Sequence, residues 1–317
     1  MNRNIFVLIK LNDEQKRLIE DSAPGCNFIY SKNEKEIAEH IQSANFIFGN
    51  PPPAMLKSAY KLELLQLFSA GAGEYAGEGI LREGAKLANA SGAYGLAISE
   101  YMLGVLLELY KNLHLYRDNQ ISGKWCYEGK VKGIFNSTAL IVGLGDIGGN
   151  FASRLKALGA YTIGIRRTDS NKPDYLDELY FMEELEKLLP RADIVALSLP
   201  ETNLTRKIIN EKTLGLMKKD AVLINVGRGS AIDTEALCNA LENCQLLGAA
   251  LDVTDPEPLP AEHRLWKIRN AVITPHVSGG FSLNETKERI VKIAAKNLEA
   301  LVTGKNFVNI IDKTIGY

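Results

Sequence analysis

The chain has 317 residues, of which 46% are hydrophobic and 24% are charged, and its formal net charge is −1. This composition is typical of a globular protein, and the length predicts two domains. Because there is no basic block, nucleic acid and anionic membrane surfaces are not expected as partners. The apolar run after the first residues is too short for a signal peptide, and the four cysteines are scattered without a C-x-x-C pair. We therefore expect a cytoplasmic protein with free thiols, no metal site and no membrane span.

The first third of the chain alternates short apolar runs with helical patterns. The predicted strands are residues 5–9, 26–30, 46–48, 64–68 and 86–89, with helices at 13–22 and 34–43 between them. The prolines at 51–53 predict a loop after the third strand, because proline lacks the N–H that a strand or helix interior needs. One long helix is predicted over residues 99–123, and it leads into a second unit.

The second unit repeats the alternation of strand and helix on a larger scale. Its predicted strands are residues 139–142, 161–166, 194–199, 221–226, 246–251 and 271–273, and an amphipathic helix over 283–303 returns to the first unit. Strands alternating with helices predict an α/β fold with parallel, doubly wound sheets.

A glycine motif, Gly143-x-Gly145-x-x-Gly148, lies between a predicted strand and a predicted helix. In this context the first glycine makes a tight turn, the second admits a pyrophosphate close to the backbone, and the third lets the helix approach the sheet. The helix N-terminus offers free N–H groups and partial positive charge to the phosphates. Asp146 would repel a phosphate through its side chain, so we expect that side chain to cap the helix while its N–H faces the ligand.

Three later strands each end in polar residues. Arg228 follows the strand at 221–226, Glu257 follows the strand at 246–251, and His276 follows the strand at 271–273. Ligands of open α/β sheets bind beyond the carboxyl ends of the strands, so one crevice is expected to hold all three. Arginine can grip a carboxylate with two hydrogen bonds, and a histidine beside a carboxylate can donate and accept a proton near neutral pH. The alternatives are a turn-capping Arg228 and a solvated Glu257; the other histidines, His40, His114 and His263, are expected to be structural.

The chain resembles the D-2-hydroxyacid dehydrogenase family of D-isomer-specific, NAD(P)-dependent enzymes. The resemblance covers nearly the whole chain, and its motifs follow in family order: LFSAGAG at 67–73, VGLGDIG at 142–148, LSLP at 197–200, INVGRGSAID at 224–233, ALDV at 250–253 with EP at 257–258, and ITPHVSG at 273–279. It implies two Rossmann-like domains, with the cofactor domain inserted into a flavodoxin-like catalytic domain. The expected catalytic or substrate domain is residues 1–98 plus 284–317, and the expected dinucleotide-binding domain is residues 99–283.

The resemblance also implies roles for individual residues. Arg228 would bind the substrate, Glu257 would be the partner carboxylate and His276 the acid/base. Backbone N–H groups of the first domain would hold the substrate carboxylate; they belong to Ala70, Gly71 and Ala72. The expected cofactor-binding residues are Gly143, Gly145, Asp146, Ile147, Gly148, Arg166, Arg167, Thr168, Pro200 and Asp252. Of these, Pro200 would line the adenosine side and Asp252 would meet the nicotinamide end, although Asp252 could instead cap the turn after its strand.

The identity of the nicotinamide cofactor depends on the end of the second strand of this domain. NAD-using relatives carry an acid there for the ribose, whereas this chain has Arg166, followed by Arg167 and Thr168. An arginine pairs with a 2′-phosphate that an acid would repel, so NADP is predicted, with NAD still possible. The alternative is that Asp169 replaces the missing acid.

The predicted reaction is reduction of a small 2-oxo acid to the D-2-hydroxy acid with NADPH, in a homodimer. Domain closure would exclude water from the hydride path. The sequence does not decide between glyoxylate, hydroxypyruvate and branched 2-oxo acids. Two alternatives on the same fold are formate or phosphoglycerate chemistry and a cofactor-sensing, corepressor-like binding protein. The side chains of Tyr75, Tyr94, Tyr101, Trp125 and Phe281 are candidates for the pocket wall.

Overall fold

The structure is a computed structural model that describes residues 3–31, 33–167, 171–280 and 283–312. It divides into two compact units, residues 1–94 with 281–317 and residues 95–280. Each unit is built around its own parallel sheet. The predicted functional domains, residues 1–98 plus 284–317 and residues 99–283, stay a prediction because compactness does not assign a function.

The first unit is a five-stranded parallel sheet in the order β2-β1-β3-β4-β5, the flavodoxin-like order. Its strands are β1 (Asn4–Val7), β2 (Asn27–Tyr30), β3 (Phe46–Phe48), β4 (Leu64–Gln66) and β5 (Lys86–Ala88). Its first four helices are α1 (Asp13–Asp21), α2 (Glu34–His40), α3 (Pro53–Leu56) and α4 (Gly73–Ala76). Apolar side chains of the strands, such as Phe6, Ile47 and Leu65, are buried in a core with those of the helices.

The second unit is a seven-stranded parallel sheet in the order β12-β11-β10-β9-β6-β7-β8. Its strands are β6 (Thr138–Val142), β7 (Tyr161–Ile165), β8 (Glu178–Tyr180), β9 (Ile194–Leu197), β10 (Val222–Asn225), β11 (Gly248–Leu251) and β12 (Ala271–Ile273). Its helices are α5 (Gly95–Tyr110), α6 (Leu113–Ile121), α7 (Asp146–Ala157), α8 (Leu185–Leu188), α9 (Glu211–Leu216) and α10 (Thr234–Glu242). The strand order reverses between β6 and β9, which creates a crevice at their carboxyl ends.

Two predictions about the second unit are corrected. The predicted sheet lacked β8, because this edge strand has only three residues and all of them are half-buried. The predicted helix over 99–123 is two helices, α5 and α6. Asn112 lies between them with a φ of 56°, a left-handed conformation that asparagine tolerates better than most residues. Its side-chain amide donates to the carbonyl of Glu128 at 2.9 Å, which stabilises the break.

The last helix, α11 (Asn284–Thr303), belongs to the first unit, where it lies against α1. The buried side chain of Asn297 fixes its position in two directions. Its amide donates to the side chain of Gln66 on β4 at 2.6 Å, and its carbonyl oxygen accepts from the N–H of Val308 at 2.7 Å. No helix among the described residues is long and apolar enough to cross a membrane.

Candidate active site

The glycine turn after β6 depends on the absence of side chains at two positions. Gly143 has a φ of 99°, and a Cβ there would lie 2.8 Å from the carbonyl oxygen of Ser198. A Cβ on Gly148 would lie 1.9 Å from the carbonyl oxygen of Gly143. The N-terminus of α7 therefore lies directly against the end of β6, as this motif requires.

This turn fits a pyrophosphate. The 12-residue helix α7 begins at Asp146, so the first N–H groups of the helix, those of Asp146, Ile147 and Gly148, have no carbonyl partner within the helix. A Cβ on Gly145 would meet no atom within 4 Å, which leaves open space beside the turn. Free N–H groups at the positive end of a helix next to such a space suit a phosphate group.

The predicted capping role of the Asp146 side chain is wrong. The N-cap residue of α7 is Gly145, and Asp146 is already the first helical residue. Its carboxylate instead accepts a hydrogen bond from the N–H of Gly95, at the start of α5, at 2.6 Å. The side-chain amide of Asn150 donates to the same carboxylate at 3.1 Å. Asp146 thus caps a neighbouring helix, and its charge is offset by N–H donors.

The arginine pair follows β7 at the same edge of the sheet. Arg166 is half-buried and Arg167 is exposed. The backbone N–H of Arg166 donates to the carbonyl of Tyr180 on β8 at 3.1 Å, which fixes the backbone of Arg166 beside β8. Thr168 and the alternative acid, Asp169, lie outside the described residues. Pro200 lies after β9 and is half-buried; its carbonyl accepts from the hydroxyl of Thr205 at 2.8 Å.

Arg228 lies in a turn that is held by a buried asparagine at the end of β10. The side chain of Asn225 accepts from the N–H of Gly227 at 3.0 Å and donates to the carbonyl of Arg228 at 2.9 Å. A Cβ on Gly229 would lie 1.9 Å from the carbonyl oxygen of Thr254, so this turn touches the loop that leads to Glu257. The Arg228 guanidinium donates through Nη1 to the carbonyl of Gly227 at 2.7 Å. A guanidinium has five N–H donors, so most of them can serve a ligand.

Glu257 and His276 form a hydrogen-bonded pair. The distance from His276 Nδ1 to Glu257 Oε1 is 2.6 Å, and both side chains are about half exposed, at 49% and 41%. Since an ionised carboxylate only accepts a hydrogen bond, Nδ1 carries the proton of this contact, and Nε2 is left as the second nitrogen of the ring. A histidine oriented by a carboxylate in this way has the chemistry that general acid/base catalysis needs.

The backbone of His276 is unusual, because its φ is 53°. A left-handed conformation at a residue other than glycine costs on the order of 1 kcal/mol or more, and it persists only when surrounding contacts enforce it. Here the N–H of His276 donates to the carbonyl of Asp252 at 2.8 Å. The carboxylate of Asp252, which is buried, accepts from the N–H groups of Val277 at 2.9 Å and Ser278 at 3.0 Å.

Comparison with known proteins identifies the family of this chain. The sequence model described as "D-isomer specific 2-hydroxyacid dehydrogenase, NAD binding domain" matches residues 103–278. The chain belongs to this family. Its members are NAD(P)-dependent 2-hydroxyacid dehydrogenases, and the fold has the two Rossmann-like domains of the family.

Individual relatives share most of the chain. A glyoxylate reductase of Thermococcus litoralis is 32% identical over 271 residues, covering 82% of this chain and 80% of the relative. The crystal structure of a D-isomer specific 2-hydroxyacid dehydrogenase family protein from Aeromonas salmonicida has a TM-score of 0.86 and 30% identity, covering 99% and 100% of the two chains. An NADPH-dependent glyoxylate/hydroxypyruvate reductase from Sinorhizobium meliloti, solved with NADP and sulfate, shares the fold at 22% identity, with a TM-score of 0.85 and full coverage of both chains.

The backbone N–H groups predicted to bind the substrate carboxylate belong to Ala70, Gly71 and Ala72. These residues lie in the loop that follows β4. The carbonyls of this loop are occupied by side chains: Ala70 accepts from the Asn89 amide at 2.6 Å, and Gly71 accepts from the Ser69 hydroxyl at 2.7 Å. No described residue accepts a hydrogen bond from the N–H of Ala70, Gly71 or Ala72. Such consecutive N–H groups suit an anion.

The candidate aromatic residues divide into different roles. The Tyr75 hydroxyl donates to the carbonyl of Pro51 at 3.0 Å, and the Tyr94 hydroxyl donates to the carbonyl of Phe68 at 2.5 Å, so both support loops of the first unit. Trp125 is fully exposed, and Phe281 lies outside the described residues. The Tyr101 hydroxyl is 2.6 Å from the hydroxyl of Thr274.

Sequence reasoning missed two residues that shape the site, Asn225 and Thr274, and it proposed Tyr101 only as a candidate for the pocket wall. For Asn225 a signal was present, since it is a polar residue at the end of an otherwise apolar strand. For the contact between Thr274 and Tyr101 no local signal existed, because the two residues are 173 positions apart in the chain.

Proposed function

We propose that this dehydrogenase reduces a small 2-oxo acid of the glyoxylate class to the D-2-hydroxy acid with NADPH. The observation that carries the proposal is the 2.6 Å pair of Glu257 and His276, at the edge of the sheet that also bears the glycine turn and Arg228. The similarity to a glyoxylate reductase of Thermococcus litoralis supports the substrate class.

Arg228 and the loop after β4 are the proposed substrate ligands. The guanidinium of Arg228 would pair with the substrate carboxylate or its carbonyl oxygen, where a planar fork gives orientation as well as charge. The N–H groups of Ala70, Gly71 and Ala72 would bind carboxylate oxygens. Both anchors act on the carboxylate end, which every 2-oxo acid has, so they set the substrate class and leave the side-chain preference to other residues.

His276 is the proposed acid/base. A nicotinamide cofactor, when bound, would supply a hydride for C2 of the 2-oxo acid, and negative charge would then develop on the former carbonyl oxygen. Nε2 of His276 would donate a proton to this oxygen, while Glu257 stabilises the cationic ring through Nδ1. In the reverse direction the same nitrogen would accept the hydroxyl proton. Glu257 keeps the ring in one orientation for both directions.

The proposed preference for NADP rests on Arg166 and Arg167. They follow β7, the strand next to the glycine-turn strand, where the ribose of a bound dinucleotide lies in this fold. A dianionic 2′-phosphate beside two guanidiniums gains charge-assisted hydrogen bonds, whereas the uncharged 2′-hydroxyl of NAD gains little. The glyoxylate/hydroxypyruvate reductase from Sinorhizobium meliloti, which shares the fold, was solved in complex with NADP.

A panel of 2-oxo acids assayed with NADPH and with NADH tests the proposal. It would include glyoxylate, hydroxypyruvate and a branched 2-oxo acid, and chiral products would be resolved. We expect turnover of glyoxylate and hydroxypyruvate, a D product from hydroxypyruvate, and a higher kcat/KM with NADPH. Absence of turnover on every 2-oxo acid together with tight NADPH binding would instead indicate a cofactor-sensing protein.

We further propose that the protein is a cytoplasmic homodimer. The segment from α6 to β6 exposes several large apolar side chains, and exposed apolar surface of this kind can serve as a contact between subunits. They are Leu113, Ile121, Trp125, Tyr127, Val131 and Phe135. The four free cysteines support a reducing compartment. Light scattering at micromolar concentration is expected to give twice the 34.9 kDa chain mass, and Trp125→Asp should shift it toward the monomer.

A further inference from the structure

We propose that Tyr101 and Thr274 are positioning residues that, through the carboxylate of Asp252, hold His276 in its left-handed backbone conformation. The role in catalysis rests on the proposed function, because it assumes that His276 is the acid/base. The arrangement itself joins α5 to the segment after β12, and all of it lies in the second unit.

The carboxylate of Asp252 is fully engaged with the His276 segment. Oδ1 accepts from the Thr274 hydroxyl at 2.6 Å and from the Val277 N–H at 2.9 Å. Oδ2 accepts from the N–H and the hydroxyl of Ser278. A carboxylate offers about four acceptor positions, so these bonds fill it. Asp252 is 1% exposed. Its side chain therefore links the end of β11 to the loop that carries His276.

The direction of the hydrogen bonds extends this arrangement to Tyr101. Since an ionised carboxylate only accepts, the Thr274 hydroxyl must give its one proton to Asp252. The 2.6 Å contact between Thr274 and Tyr101 must then use the phenolic proton. Burial raises the pKa of Tyr101 to about 12, which keeps that proton in place over the neutral range. The series of hydrogen bonds therefore runs from the Tyr101 hydroxyl through the Thr274 hydroxyl to the Asp252 carboxylate.

Helix α5 connects this series of hydrogen bonds to the glycine turn. Its first residue, Gly95, donates its N–H to Asp146 of the glycine motif at 2.6 Å, and Tyr101 lies six residues further along the helix. A helix rises 1.5 Å per residue, so about 9 Å of rigid helix separates the two attachments. Thus α5 sets the distance between the pyrophosphate end of the site and the segment that carries His276.

The chain offers a matched set of variants. Thr274→Val keeps the shape of the side chain and removes the hydroxyl, Thr274→Ser retains the hydroxyl, and Tyr101→Phe removes only the donor to Thr274. For Thr274→Val and Tyr101→Phe we expect kcat to fall about tenfold, with KM for glyoxylate and the Kd for NADPH within about twofold of wild type. Thr274→Ser should restore kcat. Because the two hydroxyls act in series, the double variant Tyr101→Phe/Thr274→Val should be no slower than Thr274→Val.

A second measurement does not depend on turnover. The protein has four histidines, so the ring nitrogens of His276 can be followed by NMR with 15N-labelled histidine and assigned from their loss in His276→Ala. We expect these resonances to shift in Thr274→Val and Tyr101→Phe, to return in Thr274→Ser, and those of His40 to stay unchanged in all variants.

The two measurements separate the positioning role from the reaction. Unchanged His276 resonances in both Thr274→Val and Tyr101→Phe would overturn the positioning role, whatever the activity. Shifted resonances in a protein without turnover on any 2-oxo acid would uphold the positioning and reject the proposed reaction. Loss of folding in Thr274→Val, seen as a lowered Tm, leaves Tyr101→Phe as the deciding variant, since it removes a single hydroxyl from a half-buried side chain.

Discussion

The glycine turn and the His276 segment lie at the same edge of one sheet, yet different means enforce their backbone conformations. At Gly143 a φ of 99° is possible because no side chain is present, and at Gly148 the absence of a Cβ admits a carbonyl oxygen. At His276 a φ of 53° occurs with a full side chain, and contacts from Asp252 hold it there. A conformation allowed by missing atoms is local, whereas one enforced by partners depends on distant parts of the chain.

The largest effect is expected when the side chain of His276 is removed. His276→Ala removes the acid/base, so kcat should fall by roughly a thousandfold, within the range that general acid–base catalysis contributes. The Kd for NADPH, measured by fluorescence titration, should change less than about twofold, because the glycine turn is untouched. His40→Ala, at an exposed histidine of α2, is the control and should keep the wild-type kcat. Turnover near the wild-type rate in His276→Ala would contradict the assignment.

Two alanine substitutions in the glycine turn distinguish folding from binding. In Gly148→Ala the new Cβ would lie 1.9 Å from the Gly143 carbonyl, so we expect a loss of about 3 kcal/mol in the free energy of unfolding. In Gly145→Ala the Cβ meets no protein atom, so Tm should be unchanged while KM for NADPH rises, since the methyl group would occupy the space for the pyrophosphate. Equal Tm values for the two variants would show that the close approach at Gly148 does not matter for stability.

The preference for NADP should weaken when one of the two arginines after β7 is removed. Arg166→Ala removes a charge-assisted hydrogen bond to the 2′-phosphate, so kcat/KM for NADPH should fall about 10- to 100-fold, while kcat/KM for NADH stays nearly constant. Arg154→Ala on α7, whose guanidinium is 3.6 Å from Glu100, is a control for general loss of positive charge. A parallel loss with both cofactors would argue against a phosphate contact.

The smallest effect is expected when the partner of His276 keeps its shape and loses its charge. Glu257→Gln can still accept from Nδ1, but it stabilises the cationic ring less, so kcat should fall about tenfold with little change in KM. Steady-state kinetics with saturating NADPH would measure the change. If kcat were unaffected, Glu257 would only orient the ring and would not stabilise its charge.

Much of the fold was predictable from local pattern. The apolar runs identified eleven of the twelve strands found among the described residues, and the glycine motif in its strand–helix context indicated the dinucleotide turn. The break at Asn112 was not predicted, because the helical periodicity continues through it and the amide contacts at Glu128 and Lys130 that stabilise it come from a later loop. The capping of α5 by Asp146 was also missed, since Gly95 and Asp146 are far apart in the chain.

The sequence by itself determined the alternation of strands and helices, the steric requirement at Gly143 and Gly148, and the residue types at the strand ends. These features depend on neighbours along the chain. Only the tertiary structure decided that Glu257 lies within hydrogen-bonding distance of His276. It also decided that the carboxylate of Asp252 accepts hydrogen bonds from the His276 segment, and that Tyr101 contacts this segment through Thr274. Those contacts join residues brought together by the order of strands in the sheet and by the packing of α5, which no local pattern specifies.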